Sequence, residues 1–374
     1  MEETKKKIAT EEWLFLLCYG VWFFFCCLYF TKYRKMFPIA EYGSLLCWLS
    51  APLLVYRAVV NRKLFTLSEW LPAIAFIAVS FLVAYHSGSH KMPAYSMWIV
   101  AASYVDKKRI LKVSFWIMLS CVVLTVGGSL LGILPSIVKE SLTRTRMELG
   151  YNFTSFCSHH VLFLSILFVA VRGKVRYPEL ALLLLANYAV FKATDTRVDF
   201  VLAVSILPVL YLLLHIKLEP LMDGFPVLFF VMPFLLAVIS FSAHYFYNEE
   251  NELFAAANQL LNKRLMFGNR AMNYYPYMLF GQKTYHNLNG EYFFIDNYYV
   301  RTIFKTGLIF PLFIWGGFSK AIYRFCKQHE RALLLALFAM LLHGLIDPEL
   351  GDIRWNPFIF YVSSLFENEQ RMKL

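Results

Sequence analysis

The sequence contains few charged residues for its length. Only 16% of its 374 residues are Asp, Glu, Lys or Arg, whereas 59% are apolar. A soluble chain of this size would need far more polar surface to cover itself, so the shortage of charge excludes the ordinary soluble classes. The apolar residues recur in runs of roughly 18–20, which is the length of a helix that crosses the hydrocarbon core of a bilayer. We therefore expect an integral membrane protein.

Several common catalytic motifs are also absent. The chain contains no GxxxxGK[ST] phosphate loop, no HExxH pair and no paired CxxC, so it carries neither the usual ATP-binding motif nor the usual zinc or dithiol motifs. Its seven cysteines lie mostly in or beside apolar runs without metal-ligand spacing, which is typical of reduced, buried thiols. The sequence thus predicts no metal and no cofactor.

The apolar runs predict an all-α fold, in which residues 1–374 form one integral membrane domain, a polytopic transmembrane helical bundle of about 10–12 spans. The predicted spans are 13–30, 40–60, 67–86, 93–105, 113–134, 153–171, 178–194, 198–216, 226–244, 299–318, 332–346 and 356–367. The fourth, eleventh and twelfth of these runs are short, and this accounts for the range in the number of spans.

Lys and Arg residues occupy alternate breaks between these runs, and in membrane proteins such breaks face the cytoplasm. The residues concerned are Lys5, Lys6, Lys7, Arg62, Lys63, Lys107, Lys108, Arg109, Lys112, Arg172, Lys174, Arg176, Lys320, Arg324, Lys327 and Arg331. With an even number of spans, both termini are predicted to be cytoplasmic. A basic break at 32–35 violates the rule. Since orientation explains the net charge of +11, the charge predicts no nucleic-acid partner.

This orientation leaves two sizeable segments outside the cell membrane, about 135–152 and 245–298. The second is a large extracytoplasmic loop inserted between late transmembrane helices. Within it, residues 252–267 have the apolar spacing of a helix, so we expect short helices in the loop. A loop of this length is usually functional or disordered, and its aromatic content argues against disorder.

The predicted orientation brings several arginines to the outer face. Arg144 and Arg146 precede the sixth span, Arg197 lies between Asp195 and Asp199 at the outer mouth of the seventh and eighth spans, and Arg264 and Arg270 lie in the large loop. A planar, permanently charged guanidinium suits bidentate binding of phosphate oxygens. The alternatives for any one of these arginines are interfacial anchoring and local pairing with a neighbouring aspartate.

The densest polar signal is residues 280–307, which carry Lys283, His286, Glu291 and Asp296 just before a span. Glycosyl transfer to a sugar hydroxyl needs a base beside the attacking oxygen, and His286, Asp296 or Glu291 can supply it. The alternative is a solvated polar loop. His343 and Asp347 lie one helical turn apart, where they either face a cavity or satisfy each other. His159 and His160 either line a cavity or pack between helices.

Over roughly residues 140–350 the chain resembles the superfamily of Wzy polymerases and O-antigen ligases. RTRMELGYN (144–152) is similar to the family's Arg-x(n)-Gly-[Tyr/Phe/His]-x-Asn element, and TDTRVD (194–199) to its Thr/Ser-Arg element. LFGQ (279–282), followed by DNYYVRTIFKTGLI (296–309), resembles the element Asp-Asn-x-Tyr-x(6–7)-Gly before a span, and HGLID (343–347) resembles the late span that contains a histidine.

This resemblance implies an enzyme on the outer side of the bacterial plasma membrane that joins glycan repeat units carried on undecaprenyl pyrophosphate, without metal or nucleotide. The family arginines that bind the pyrophosphate correspond to Arg146 and Arg270, with Arg197 a further candidate. Asp296 and His286 are the candidates for the base. Further candidates for the cavity are Arg144, Arg264, His343 and Tyr298.

Two departures from the family pattern affect this interpretation. The Gly-Tyr-Asn segment lacks the proline that members often carry there, and Asp296 stands where ligase-like members often have a histidine. The second departure favours a polymerase over a ligase that transfers the finished glycan to another acceptor. A lipid-linked oligosaccharide flippase is the non-enzymatic alternative, although the sequence lacks the related halves typical of transporters. The expected partners are the lipid-linked donor and acceptor, the bilayer, and the flippase and chain-length regulator of the same pathway.

Overall fold

The structure, a computed structural model, describes residues 2–60, 66–141, 144–285, 287–288 and 291–368. This part of the chain is mostly helical, as the apolar runs predict. The first helices are α1 (Glu2–Tyr29), α2 (Ile39–Cys47), α3 (Ser50–Val60), α4 (Leu67–Ser87), α5 (Met92–Ala101), α6 (Lys107–Leu130), α7 (Thr154–Arg172) and α8 (Tyr177–Thr194). The later helices are α9 (Arg197–His215), α10 (Glu219–Gly224), α11 (Pro226–Tyr245), α12 (Glu252–Leu260), α13 (Arg264–Tyr274), α14 (Tyr298–Thr306), α15 (Ile309–Lys327) and α16 (Arg331–His343).

Short 3-10 helices and two antiparallel hairpins complete the described elements. The 3-10 helices are Lys32–Lys35, Pro348–Gly351 and Pro357–Phe366. Strands β1 (Val138–Ser141) and β2 (Arg144–Met147) pair in the register Val138 to Met147, and β3 (Asn287–Leu288) pairs with β4 (Glu291–Tyr292). Neither hairpin was predicted, because an apolar pattern indicates membrane spans and both hairpins lie in polar breaks between them.

Seven helical segments in the described residues are long and apolar enough to cross a membrane, so the chain has the helices of a multi-pass membrane protein. They are Glu11–Tyr29, Ile39–Val60, Leu67–Ser87, Lys107–Leu130, Thr154–Arg172, Arg197–His215 and Pro226–Tyr245. Each coincides within a few residues with a predicted span, except that Lys107–Leu130 begins one to two turns before the predicted 113–134. All seven cysteines are free and six are buried, in agreement with the prediction of reduced thiols.

The remaining predicted spans have other forms. Helix α8 matches the predicted 178–194 but is made less apolar by Glu179, Asn187 and Lys192. The runs predicted at 93–105, 332–346 and 356–367 are α5, α16 and the 3-10 helix Pro357–Phe366, with 10, 13 and 10 residues. At 1.5 Å per residue, an α-helix of that length is too short to cross a bilayer core by itself.

The predicted span 299–318 is wrong as one continuous helix. Helix α14 ends at Thr306, and α15 begins at Ile309. Between them Gly307 has a φ of +82°, a conformation outside the right-handed helical region that a residue with a side chain rarely adopts. Apolar periodicity runs through this position without interruption, and the single glycine marks the break.

Gly307 and Gly281 also allow two backbone segments to meet. A Cβ on Gly281 would lie 2.2 Å from the carbonyl oxygen of Lys305, and a Cβ on Gly307 would lie 2.3 Å from that of Leu279. The amide of Leu308 donates to the carbonyl of Met278 at 3.0 Å. The glycines of the LFGQ and KTG segments therefore permit close backbone packing, which fixes the end of the outer loop against the start of α15.

The described chain divides into two compact units. The first comprises Met1–Leu53, Val105–Pro220 and His329–Ala339, and the second comprises Leu54–Tyr104, Leu221–Gln328 and Met340–Leu374. In the first unit α7 packs against α6, α8 and α9, and it is the most buried of the candidate spans, at 72%. In the second unit α15 packs against α11 and the 3-10 helix Pro357–Phe366, while α13 and α14 pack against α11.

Hydrogen bonds and ion pairs connect neighbouring elements at both ends of the first unit. At one end Glu12 of α1 accepts hydrogen bonds from the amide of Asp106 at 3.1 Å and from Arg109 at 3.0 Å. At the other end Lys32 lies 2.5 Å from Glu148, and both side chains are almost fully buried. Lys139 of β1 lies 2.9 Å from the second oxygen of Glu148. The break at 32–35 and the hairpin β1–β2 therefore lie at the same end of this unit.

A buried network of hydrogen bonds connects the elements at one end of the second unit. Glu367 accepts hydrogen bonds from Arg324 at 2.6 Å and from the amide of Tyr104 at 3.0 Å. The hydroxyl of Tyr104 donates to Glu69 at 2.7 Å. Because an unpaired charge is costly to bury, this network fixes the C-terminal 3-10 helix against α15 and the start of α4.

Candidate functional site

Arg146 lies on β2 in the first unit, where its guanidinium is half buried. Its Nε donates to the carbonyl of Thr194 at 2.9 Å, and its Nη2 donates to the hydroxyl of Thr196 at 3.4 Å. These contacts place Arg146 over the turn between α8 and α9, and Nη1 takes part in neither of them. Burial, followed by the charge of Arg144, lowers the pKa of Arg146, whereas Asp195 and Asp199 act in the opposite direction. A bound anion would favour the charged form of this partly buried guanidinium.

The turn between α8 and α9 gathers the other charged groups of this unit. Asp195 ends α8 with a φ of +44°, so that α9 begins only two residues later. Arg144 lies 3.1 Å from one carboxylate oxygen of Asp195, and Arg197 lies 3.4 Å from the other. The local pairing considered for Arg197 thus occurs with Asp195. Arg197 is the most exposed of the three arginines, and it keeps most of its guanidinium in contact with solvent.

Histidines near this turn differ in their surroundings. His159 Nε2 lies 3.3 Å from Asp199, and both residues are buried. The ring of His160 lies between those of Tyr151 and Phe30, with centroid distances of 5.5 and 6.1 Å. For His160 these ring contacts agree with the helix-packing interpretation.

Asp296, the candidate base, forms part of an ionic cluster in the second unit. Arg264 donates from Nε to Asp296 at 3.1 Å and from Nη2 to Asp347 at 2.9 Å. Arg264 lies at the start of α13, Asp296 just before α14 and Asp347 just after α16, so one guanidinium links three segments of the second unit. Neither the pairing of Arg264 with Asp296 nor its bond to Asp347 is visible from sequence spacing, because these residues are separated by 32 and 83 positions.

Asn297 holds Asp296 in place. It is the N-cap residue of α14, where its side-chain oxygen accepts from the amide of Val300 at 3.0 Å and from the hydroxyl of Ser240 at 2.8 Å. Its side-chain nitrogen donates to the carbonyl of Leu345 at 2.6 Å. Asn297 is buried, so the Asp-Asn pair combines a structural cap with a neighbouring carboxylate that remains about one-quarter exposed.

The surroundings of Asp296 alter its acidity. Burial is the largest effect and raises the pKa of Asp296, while the charge of Arg264 lowers it. Asp347 adds to the rise and Arg301 opposes it, and the net result is a raised pKa. A carboxylate with a raised pKa is a stronger base than an ordinary aspartate, and the adjacent guanidinium favours its ionised form.

The other candidate residues of the second unit lie in different surroundings. His343 is fully buried, with Nε2 3.9 Å from Asp347. Tyr298 is also buried, and a Cβ on Gly351 would lie 2.4 Å from its ring, so Tyr298 is a packing residue. Arg270 is exposed on α13. It lies six residues after Arg264, which at about 100° per residue puts the two side chains on different faces of the helix. His286 lies outside the described residues.

His343, Asp347 and Glu349 present ligand atoms within 4.8 Å of one another, a spacing that a metal ion can use. A guanidinium, that of Arg264, already lies 2.9 Å from Asp347. A divalent cation bound at this carboxylate would have to tolerate or displace that fixed positive charge.

A further cation close to Asp296, Arg301, was missed by sequence reasoning. Arg301 lies one turn into α14, where it donates to the carbonyl of Ile295 at 3.4 Å and stacks over the ring of Phe294 at 4.5 Å. Lys305 follows one turn later on the same face. The four-residue spacing of Arg301 and Lys305 in the DNYYVRTIFKTG segment indicates a shared helix face. The same segment is predicted to begin the span 299–318, and these cations were therefore not selected.

Comparisons with protein-family models, with curated proteins and with solved structures found no match. The chemistry that the chain can support therefore follows from the charged residues of its two units. The first unit has three guanidinium groups around the turn between α8 and α9. The second unit has a basic aspartate held between a guanidinium and a structural cap. Such groups suit binding of phosphate oxygens and removal of a proton from a hydroxyl.

Proposed function

We propose that this protein polymerises oligosaccharide repeat units carried on undecaprenyl pyrophosphate, at the outer face of a bacterial plasma membrane. The observation that supports this most directly is the placement of Asp296. Its carboxylate has a raised pKa, contacts Arg264 at 3.1 Å and remains partly accessible. An acceptor hydroxyl needs such a base, and the family resemblance of the surrounding segment points to the same reaction.

In the proposed reaction the acceptor oxygen attacks the anomeric carbon of the donor glycan. The bond between that carbon and the pyrophosphate oxygen breaks, and the lipid pyrophosphate leaves with both electrons of the bond. The proton of the acceptor hydroxyl passes to Asp296. The enzyme is thus a glycosyltransferase in which permanently charged guanidinium groups, instead of a metal ion, stabilise the leaving group.

The arginines take two roles in this proposal. Arg146, Arg197 and Arg270 bind pyrophosphate oxygens, as the family resemblance implies for these positions, and Arg146 is supported by its half-buried position over the turn between α8 and α9. Arg264 keeps Asp296 ionised and oriented, and Arg144 holds Asp195 beside Arg197. The partners are the lipid-linked donor and acceptor in the bilayer, together with the flippase and the chain-length regulator of the same pathway.

The proposal is tested with Asp296→Asn and Arg146→Ala in cells that make the glycan. Loss of a general base lowers a rate by about 10²–10⁴-fold, so we expect single repeat units to accumulate on the lipid in the outer leaflet. Arg172→Ala is the matched control, since Arg172 forms an exposed pair with Glu179 at the opposite end of the first unit. It should still make long chains.

The leaflet that holds the accumulated intermediate separates the candidate functions. Accumulation in the inner leaflet would identify a flippase instead of a polymerase. Long chains in both the Asp296 and Arg146 variants would show that the assigned site is wrong. Normal polymers on the lipid that fail to reach a final acceptor would identify a ligase.

A further inference from the structure

Helix α12, in the loop between α11 and α14, exposes large apolar side chains. Leu253 is 83% exposed and Leu260 is 79% exposed, although both lie on a regular helix with a well-formed start. Its N-cap residue, Asn251, accepts a hydrogen bond from the amide of Leu253 at 3.0 Å. Two leucines exposed to this degree, about two turns apart on one helix, call for a partner.

The side chains of α12 divide into three faces. At about 100° per residue, Leu253 and Leu260 lie within about 20° of each other, and the exposed Ala256 lies about 40° from Leu260, between the leucines and the polar face. Glu252 and Gln259 form an exposed polar face about 100° to one side. The third face lies on the other side and contains Phe254 and Asn258.

The third face fixes α12 to the end of a membrane-spanning helix. The ring of Phe254 lies 6.0 Å from that of Tyr247, and Asn258 donates to the hydroxyl of Tyr247 at 3.0 Å. Asn258 also accepts from the amide of Met266 at 3.1 Å. Tyr247 follows the last residue of α11 by two positions. The face that carries Leu253 and Leu260 therefore lies near the end of α11, while another face of α12 contacts Tyr247.

Exposed apolar side chains also lie at the end of α11, next to the residue to which α12 is bonded. Tyr245 and Phe246, at the end of α11, are 68% and 66% exposed, and Val238, two turns earlier, is 61% exposed. Aromatic side chains at the end of an apolar span are typical of the boundary between headgroups and acyl chains. A helix with a narrow apolar face, a polar face and a position beside that boundary has the features of an interfacial membrane helix.

We propose that α12 lies in the membrane interface, with Leu253, Ala256 and Leu260 inserted into the leaflet on the side of the 245–298 loop. The partner of this face is the lipid bilayer. The contacts of α12 with Tyr247, beside the exposed aromatic end of α11, favour lipid over a protein partner. Glu252 and Gln259 then face water. The consequence is that the outer loop rests on the membrane surface from which a lipid-linked molecule would approach. This inference does not depend on the proposed reaction.

The test uses two matched pairs of positions on the same helix. Leu253→Cys, Leu260→Cys, Glu252→Cys and Gln259→Cys are each spin-labelled in the full-length protein reconstituted into phosphatidylglycerol–phosphatidylethanolamine vesicles. The native protein supplies the background signal, because six of its seven cysteines are buried. Collision rates are measured with oxygen, which concentrates in lipid, and with a water-soluble nickel chelate.

We expect the ratio of oxygen to nickel collisions to be severalfold higher at Leu253 and Leu260 than at Glu252 and Gln259. Equal ratios at all four positions would show that α12 lies in water and would overturn the proposal. Low collision rates with both reagents at Leu253 and Leu260 would show that protein covers this face, which would overturn it as well. In detergent micelles the same difference between the pairs should persist, because micelles also offer an apolar phase.

Discussion

Among single residues, Arg264 is the arginine that lies beside Asp296, the candidate base. Sequence reasoning named Arg270 as a pyrophosphate ligand and Arg264 as a further candidate for the cavity, and it paired neither of them with Asp296, whereas the structure places Arg264 beside Asp296. Both arginines lie on α13, but the helix turns them to different faces. The bounds of α13 were not predicted, since the apolar spacing of 252–267 indicated one helix where Asn262 and Lys263, with φ of +60° and +66°, separate two.

The pairing of Arg264 with Asp296 predicts the pH dependence of the reaction. Asp296 must be ionised to act as a base, so activity falls as pH falls through its pKa, and that pKa lies above the ordinary value of 3.8. Arg264 lowers the pKa of Asp296. Arg264→Ala should therefore move the acid limb of the pH–rate profile to higher pH, as measured by polymerisation in proteoliposomes.

Two further variants serve as controls for this shift. Arg264→Lys retains a positive charge and should shift the acid limb less than Arg264→Ala does. Arg270→Ala removes an exposed charge on the other face of α13 and should leave the midpoint unchanged, even where the rate falls. An acid limb that keeps its midpoint in Arg264→Ala would indicate that another group is the base.

At the scale of elements, glycines decide where the apolar runs break and how closely they pack. Gly307 divides the predicted span 299–318, and Gly281 allows the preceding loop to pass close to it. Mean hydropathy averages over many residues and hardly changes at one glycine. The backbone conformation, by contrast, can change at a single glycine. The helices with long uninterrupted apolar runs were predicted well for the same reason, because their signal is distributed over about 20 residues.

Adjacent glycines of α15 provide a sharp test of element packing. A Cβ on Gly317 would lie 2.6 Å from the Cα of Val362, whereas a Cβ on Gly316 would have Leu365 as its nearest neighbour at 3.9 Å. Gly317→Ala should force α15 away from the 3-10 helix Pro357–Phe366 and cost about 1–3 kcal/mol, the usual range for overpacking. Gly316→Ala should be neutral or slightly stabilising.

The measurement is the thermal unfolding midpoint of each purified variant in the same detergent. A large drop for Gly317→Ala with no drop for Gly316→Ala would match the structure. Equal midpoints for the two variants would contradict the close packing of α15 against Val362. Because both substitutions add one methyl group to the same helix, differences in helix propensity cancel in the comparison.

In the whole molecule, one of the three basic residues in the break at 32–35, Lys32, is compensated by a carboxylate of the fold. Lys32 is buried beside Glu148, and two lysines flank that carboxylate. Burial would raise the pKa of Glu148, but the hydrogen bonds and charges of Lys32 and Lys139 outweigh it and lower the pKa. Glu148 therefore stays ionised and neutralises Lys32. A lysine neutralised by a carboxylate within the same end of a bundle no longer opposes the predicted orientation.

The predicted orientation also states which exposed residues face the outside of the cell and which face the cytoplasm. In the first unit the hairpin β1–β2 and the pair Arg172–Glu179 lie at opposite ends, because α7 connects them. Cysteines at Thr145 and at Glu249, in the 245–298 loop, should react with an impermeant thiol reagent applied to intact cells. Cysteines at Lys174 and Gln328 should react only after the membrane is permeabilised. All four native residues are exposed, so burial does not confuse the result.

The outcome bears directly on the proposed reaction. Lipid-linked repeat units are polymerised outside, so an enzyme of this kind requires Asp296 and the arginines around Asp195 to reach the outer face. If Thr145→Cys and Glu249→Cys were labelled only in permeabilised cells, the guanidinium groups and Asp296 would face the cytosol, and the polymerase proposal would fail. The helical fold and the contacts of α12 with the end of α11 would be unaffected, since neither depends on the direction of insertion.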